Sequence, residues 1–259
     1  MDTLCALRNS IARIEGQRPA GTLATVPIGI DSIDHALGGG LARARLHELF
    51  AAEPEDSGSA AGFAAMLAGL AMPPTAPLLW LRQEEAETRG GRLHAPGLAE
   101  IGIDPARLVL VAVADPVTLL RAAADVVRCA QIGAAVIELW GRPRALDLTA
   151  SRRRAVAAEE TGVTVLMLRG GAEPAPSAAQ TRWQIAAAPS LALEAGAPGH
   201  PAFDISLLRQ RGRPDGGRWR VEWDREQGRF HKSAEAEPAL SGAVVPAAAG
   251  GSATAPLRA

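Results

Sequence analysis

Residues 46–71 read LHELFAAEPEDSGSAAGFAAMLAGLA, and their reading decides the fold. A short apolar run (46–50) leads into a Pro/Ser/Gly turn and then into an Ala-rich stretch of high helix propensity. Strand, glycine-containing turn and helix in that order form a phosphate-binding frame, because backbone N–H groups and a helix N-terminus can wrap an anion. In such a frame a lysine reaches the β- and γ-phosphates and a Ser or Thr hydroxyl holds Mg²⁺. Here Ser59 follows Gly58 where the lysine belongs, and Ala60 stands where the hydroxyl belongs. The first glycine of the pattern falls at Glu53, whose carboxylate would repel a triphosphate, and Ser57 sits at the turn itself. The single lysine of the chain, Lys232, is close to the C-terminus. The frame is present and its charge-neutralising groups are not, so no cofactor is expected.

Composition narrows the class. A chain of 259 residues that is 47% hydrophobic allows one large domain with appendages. A net charge of −1 excludes a global field for nucleic acid or membrane. Cys5 and Cys129 are far apart in apolar helical patterns, which suits a reducing compartment and offers no disulfide framework. The five histidines have no ligand spacing, so no metal is expected. The N-terminus lacks a signal-like pattern and no run reaches the roughly 18 apolar residues of a membrane span. A cytoplasmic protein with no membrane partner is expected.

On the N-terminal side, Leu4, Leu7, Ile11 and Ile14 recur at helical spacing. They predict a helix within 1–16 whose apolar stripe needs a surface, either on its own domain or on a neighbouring protein. A polar linker (17–25) follows. In PIGIDSIDHALGGGLARARLHELF (27–50), Asp31 or Ser32 is expected to cap a short helix through His35, and Gly38, Gly39 and Gly40 punctuate before the first core strand.

On the C-terminal side, apolar strands are expected at 78–81, 108–113, 134–139 and 164–168, with helices at 116–131 and 148–161. This alternation predicts an α/β fold with a mostly parallel sheet covered on both faces. Ligands of such sheets collect at the carboxyl ends of the strands, where Ser57, Glu84 and Glu138 fall. After 172–177 the chain alternates at 191–194, 203–211 and 218–224, predicting an antiparallel extension from about 190 on one sheet edge. The main domain is set at 26–232, and the Ala/Pro/Gly/Ser/Glu composition of 233–259 predicts a disordered tail.

Arg209, Arg211, Arg213, Arg218 and Arg220 fall within twelve residues, interleaved with Trp219 and Trp223. One reading is a contact to single-stranded DNA or an acidic partner, since guanidinium and indole groups pair with phosphates and stack on bases. The other is a solvated hairpin with both indoles, four residues apart, anchored in a core. Arg152, Arg153 and Arg154 form a second run near a helix start, which helix surfaces often carry. No nucleophile constellation emerges, because Ser57 and Ser59 lack an activating His–Asp order.

Several motifs together resemble the RecA-like ATPase core: the block 27–50 followed by PEDSGSAA (54–61), LRQEEA (81–86), and AAVIELWG (134–141). The resemblance places Glu84 at the catalytic glutamate of recombinases and Glu138 at the strand-end acid that serves Mg²⁺. It also brings the loops after the fourth and fifth strands, with Arg142, Arg144 and Arg169, towards DNA. LCALRNSIARIE (4–15), SAAQTRWQIAAAPS (177–190) and FDISLLRQRGRPDGGRWRVEWDRE (203–226) are similar to the ImuA family of bacterial translesion-synthesis accessory proteins. That resemblance implies a non-catalytic component of an SOS-induced mutasome, working with an ImuB-like Y-family polymerase homologue and an error-prone DnaE-type polymerase, with RecA and single-stranded DNA as further candidate contacts. It also implies placement at the nucleoid after damage. The residues leave two alternatives open. One is a DNA-dependent ATPase or recombinase paralogue with an arginine (Arg43 or Arg45) for the missing lysine; the other is a regulator that binds RecA-type filaments.

Overall fold

The computed structural model describes residues 24–190, 197 and 199–233. The stripe Leu4/Leu7/Ile11/Ile14, the strand expected at 191–194 and the tail from 234 lie outside the described residues. In chain order the elements are β1 (Thr25–Val26), α1 (Asp31–Leu37), β2 (Leu41–Ala42), β3 (Leu46–Ala51), a 3-10 turn (Pro54–Asp56) and α2 (Ser57–Ala71). Then come β4 (Leu78–Gln83), α3 (Glu84–Gly90), α4 (Ala95–Glu100), β5 (Leu108–Val113), α5 (Pro116–Val127), β6 (Ala134–Trp140), α6 (Leu148–Thr161) and β7 (Thr164–Gly170). The chain closes with β8 (Thr181–Ala187), β9 (Ala202–Gln210), β10 (Arg218–Asp224) and β11 (Arg229–Lys232).

One nine-stranded sheet runs β11-β10-β9-β8-β3-β7-β6-β4-β5, and β1 pairs β2 separately. The six strands β8, β3, β7, β6, β4 and β5 are parallel to one another, while β9, β10 and β11 add antiparallel. The mostly parallel sheet and its antiparallel C-terminal extension are as the sequence predicts. The strand β8 is an addition. Its sequence TRWQIAA carries polar residues at buried positions and gives no apolar run, yet it joins β3 directly.

Helix α2 lies on one face of the sheet, where Ala60, Ala64 and Ala68 allow close approach. Phe63 reaches from α2 to Phe203 and Phe230, with ring centroids 5.5 and 5.1 Å away, and Trp223 packs 4.8 Å from Phe230. These rings fasten the antiparallel extension to the helix. Helices α5 and α6 cover the other face over Leu81, Ile137, Leu139, Val165 and Met167. Helix α5 ends at Val127 and not at 131, with Arg128 as its C-cap.

The coverage expected on both faces fails at β5. This strand is the sheet edge, and Val109, Leu110 and Val111 are 47, 45 and 37% exposed. An apolar run reads alike at a sheet centre and at an edge. The expected caps of α1 also fail, because Ile30 is the N-cap and Asp34 instead accepts from the Ile28 and Gly29 N–H groups. The glycine turn is required, since Gly38, Gly39 and Gly40 all have positive φ and a Cβ on Gly40 would sit 2.2 Å from the Val26 carbonyl oxygen.

Strand β3 is buried along its whole length, including His47. Trp183 Nε1 donates to Thr181 Oγ1 at 2.7 Å; Thr181 Oγ1 lies 2.7 Å from His47 Nδ1, and His47 Nε2 lies 2.8 Å from the Ala42 carbonyl oxygen. A carbonyl only accepts, so Nε2 carries the proton and Nδ1 accepts from the threonine hydroxyl. Burial lowers the His47 pKa from 6.5 to about 4.

Two tests follow. Phe63→Ala is expected to destabilise the protein by about 3–5 kcal/mol in urea denaturation, because it empties the ring cluster under β9 and β11. His47 is neutral when folded, and the unfolded chain binds its proton more readily. Its contribution is therefore present above pH 6.5 and is lost as pH falls towards about 4. A loss of roughly 3 kcal/mol across that window is expected, and His47→Gln should remove that part of the slope.

Candidate functional site

The carboxyl ends of β3, β4, β6 and β7 converge beneath the N-terminus of α2, and the phosphate-frame residues lie there. The loop is closed on itself. Glu53 caps the 3-10 turn through its side chain, and Asp56 reciprocates with Oδ2 3.2 Å from the Glu53 N–H. The Ala52 N–H donates to the Ile185 carbonyl at 2.8 Å, and Asp56 Oδ1 accepts from the Ala187 N–H at 2.8 Å. Pro54 has no N–H to give. Ser57 Oγ donates to the Pro54 carbonyl at 2.6 Å. Gly58 is exposed and a Cβ there would meet nothing within 4 Å. Ser59 is half-buried, and Ala60 is 0% exposed, inside the core.

Beneath the loop lies a buried polar group of which the sequence singles out Glu138 but not its partners Arg82 and Trp80. Cross-strand register sets Arg82 of β4 beside Glu138 of β6. Arg82 Nη2 donates to Glu138 Oε1 at 3.1 Å, Arg82 Nε lies 2.9 Å from Oε2, and Trp80 Nε1 donates to Oε2 at 2.8 Å. Burial pushes the Glu138 carboxyl up, while Arg82 and Trp80 hold it down; the net shift is upward. Trp140 closes the space from the side, and a Cβ on Gly170 would sit 2.6 Å from its ring. Arg89 lies 5.6 Å over the same ring. The space left among Ala51, Ser57, Ala86, Glu138, Trp140 and Gly170 is about 10 Å³, room for at most about one water.

The other anticipated residues do not join this group. Glu84 is exposed at the start of α3, and its carboxylate pairs with no described residue. Arg43 and Arg45 precede β3, whose six residues put about 20 Å between them and the loop. Arg45 pairs with Glu159 at 3.5 Å instead, so neither arginine replaces the lysine. Arg169 does not reach into a loop; it is buried, donates to the Gly141 carbonyl at 2.9 Å and lies against Phe50.

The late arginines are dispersed. Arg209, Arg211, Arg213 and Arg218 are exposed. Arg213 lies against Gly38, at the C-terminus of α1. Arg218 and Arg220 line the opposite, open face of β8–β10, where Asp204 holds Arg220 in a bidentate pair at 2.8 and 2.7 Å. Trp223 is buried and Trp219 packs against the same core, which leaves the core-anchor reading for these indoles. Among the described residues no His/Cys/Asp/Glu group could hold a metal ion, and no helix is long and apolar enough to cross a membrane.

The architecture matches the crystal structure of the RadB recombinase with a TM-score of 0.52, over 81% of this chain and 100% of that one, at 15% identity. The fold is RecA-like. No protein-family model matches the chain. Protein ImuA of Caulobacter vibrioides, from strains NA1000 and CB 15, is 34% identical over 226 residues, covering 81% of this chain and 82% of that one. The chain belongs to the ImuA family. This member therefore carries a RecA-like sheet in which Asp56 holds the Glu53 and Ala187 N–H groups at the loop and Arg82 pairs with the strand-end acid Glu138.

Arg82→Met strands Glu138 as an unpaired buried carboxylate and is expected to cost about 3–5 kcal/mol at neutral pH. Without the arginine the folded-state pKa of Glu138 rises further, so the deficit should shrink as pH falls and the carboxyl is protonated. The double variant Arg82→Met/Glu138→Leu should regain most of the loss. Urea denaturation at neutral and acid pH reads all three.

Proposed function

We propose that this protein is a non-catalytic RecA-like accessory protein that holds together or localises an error-prone translesion polymerase assembly in the response to DNA damage. The observation that carries this reading is the state of the phosphate loop. The Ala52, Glu53 and Asp56 N–H groups are taken by protein acceptors, and Pro54 has none. No lysine stands in the loop, and the cation nearest the strand-end acid is committed to Glu138. Phosphoryl transfer depends on neutralising the charge of a triphosphate with a cation and Mg²⁺. The residues present do not fit a magnesium-bound triphosphate.

Membership of the ImuA family supports the DNA-damage context, and the partners this reading assigns are an ImuB-like Y-family homologue and an error-prone DnaE-type polymerase in the cytoplasm. The exposed β5 edge adds support for assembly, because an unpaired apolar strand edge is a template for another chain. Calorimetric titration of the full chain with MgATP, with and without single-stranded DNA, tests the reading. No saturable binding at millimolar ATP and no turnover are expected, together with ATP-independent co-purification with the two polymerase proteins. Binding with DNA-stimulated hydrolysis would establish a motor instead, and failure of co-purification would remove the scaffold.

A further inference from the structure

Helices α5 and α6 lie side by side on the face of the sheet opposite α2 and leave a groove between them of about 300 Å³. Its floor and walls are aliphatic: Val117, Leu120, Ala124 and Val127 from α5, and Ala150 and Ala157 from α6. Val117 is 43% exposed on a helix that buries Leu119, Leu120, Ala123 and Val127.

The groove is built and held open. Arg154 is buried beneath it, donating Nη2 to the Leu120 carbonyl at 2.8 Å and Nη1 to the Ala150 carbonyl at 2.9 Å. At the far end Thr161 Oγ1 donates to the Val127 carbonyl at 2.7 Å. These bonds fix the spacing of the two helices, and the sequence run Arg152–Arg153–Arg154 is thereby divided. Arg154 is a staple, while Arg152 and Arg153 are exposed.

The charged side chains that line the groove are of one sign. Arg121, Arg128 and Arg153 line it together with the Arg154 staple, and among the described residues no acidic side chain does. The acids that begin the two helices are already used as caps. Asp115 accepts from the Val117 and Thr118 N–H groups, and Asp147 accepts from the Ala150 N–H. Arg121 acts on Asp115, whereas Arg128 and Arg153 pair with no acid among the described residues.

We propose that this groove docks an acidic, apolar-faced helical segment of a partner protein. Apolar anchors at i, i+3/i+4 and i+7 would seat between α5 and α6, and flanking carboxylates would meet Arg128 and Arg153. The aliphatic lining favours a peptide over nucleic acid, because the groove offers no aromatic platform on which bases stack. The partner supplies the segment in trans. The chain's own acidic stretch after Ser233 departs from β11, six strand spacings from β6, or roughly 29 Å. The proposal concerns a face remote from the phosphate loop and holds whether or not nucleotide binds.

The test is fluorescence anisotropy of the full chain with a labelled designed helical peptide, Leu at the anchor positions and Glu on both flanks. A Lys-for-Glu version and a single-stranded oligonucleotide serve as comparison probes. Saturable binding of the Glu peptide that weakens with salt is expected, with loss of about tenfold or more in Arg128→Glu/Arg153→Glu. Arg152→Glu, outside the groove, should leave affinity unchanged, and circular dichroism confirms that each exposed-site variant is folded. Several results would overturn the proposal: no binding of the Glu peptide, equal binding of the Lys peptide, or affinity indifferent to the double reversal. Preferential oligonucleotide binding lost in the same double variant would make the groove a nucleic-acid surface. Peptide binding that appears only after deletion of residues 234–259 would make the chain's own tail the occupant.

Discussion

Two polar side chains on opposite faces of one fully buried strand constrain the rest of this structure. His47 and Glu48 of β3 cannot reach water, and a buried polar or ionised group without partners costs several kcal/mol. Both are answered by consecutive residues of β8, Thr181 and Arg182, in direct register. Ser177 completes the second set, donating to Glu48 Oε2 at 2.7 Å and accepting from Arg182 at 2.9 Å. A slip of one residue would send each partner to the wrong face, so these bonds specify the pairing. Once β8 is fixed, the antiparallel strands β9–β11 follow from it. The Ala52 and Ala187 N–H groups then tie the phosphate loop to the end of the same strand.

The group beneath that loop is governed by the same rule. An Arg–Glu pair this deeply buried gains roughly what it loses in desolvation, so its presence is a poor argument for stability alone. What it does is close a set of obligations. Trp80 needs an acceptor for its indole N–H, Arg82 needs an anion, and Glu138 with two oxygens serves both. The carboxylate and the guanidinium thereby face each other and the core instead of solvent.

The parts of the fold written as apolar runs with turn punctuation were legible in the sequence: β3 to β7, the helices α2, α5 and α6, and the alternating strands β9 and β10, whereas α3 and α4 were not. Strand β8 was not, because Thr181 and Arg182 look like surface residues until their partners on β3, 134 residues away, are known. Edge and centre could not be told apart at β5, since that difference lies in what stands beside the strand. At the site, the missing lysine, hydroxyl and glycine were readable as absences at Ser59, Ala60 and Glu53. Arg82 was not readable as the partner of Glu138, which lies 56 residues further on. The one available signal was a single charge at the carboxyl end of each of two otherwise apolar strands. Arg154 was hidden for a related reason, because a run of three arginines suggests one common fate and the helix period gives its members different ones.

The two faces of the sheet therefore stand in contrast. Around the loop on the α2 face, carboxylates meet backbone N–H groups, an arginine meets a glutamate, and the remaining space is that of about one water. Polar groups satisfied from within have little free energy to offer a ligand, because any new bond must first break an existing one. On the α5/α6 face the staple Arg154 is bonded to two helix carbonyls while Arg128 and Arg153 pair with no acid among the described residues, and aliphatic walls stand open beside them. Such a surface gains both hydrophobic burial and charge pairing when a complementary chain covers it. In this RecA-like fold the strand-end acid is paired with an arginine, and the docking we propose draws on the helical face instead of the carboxyl ends of the strands.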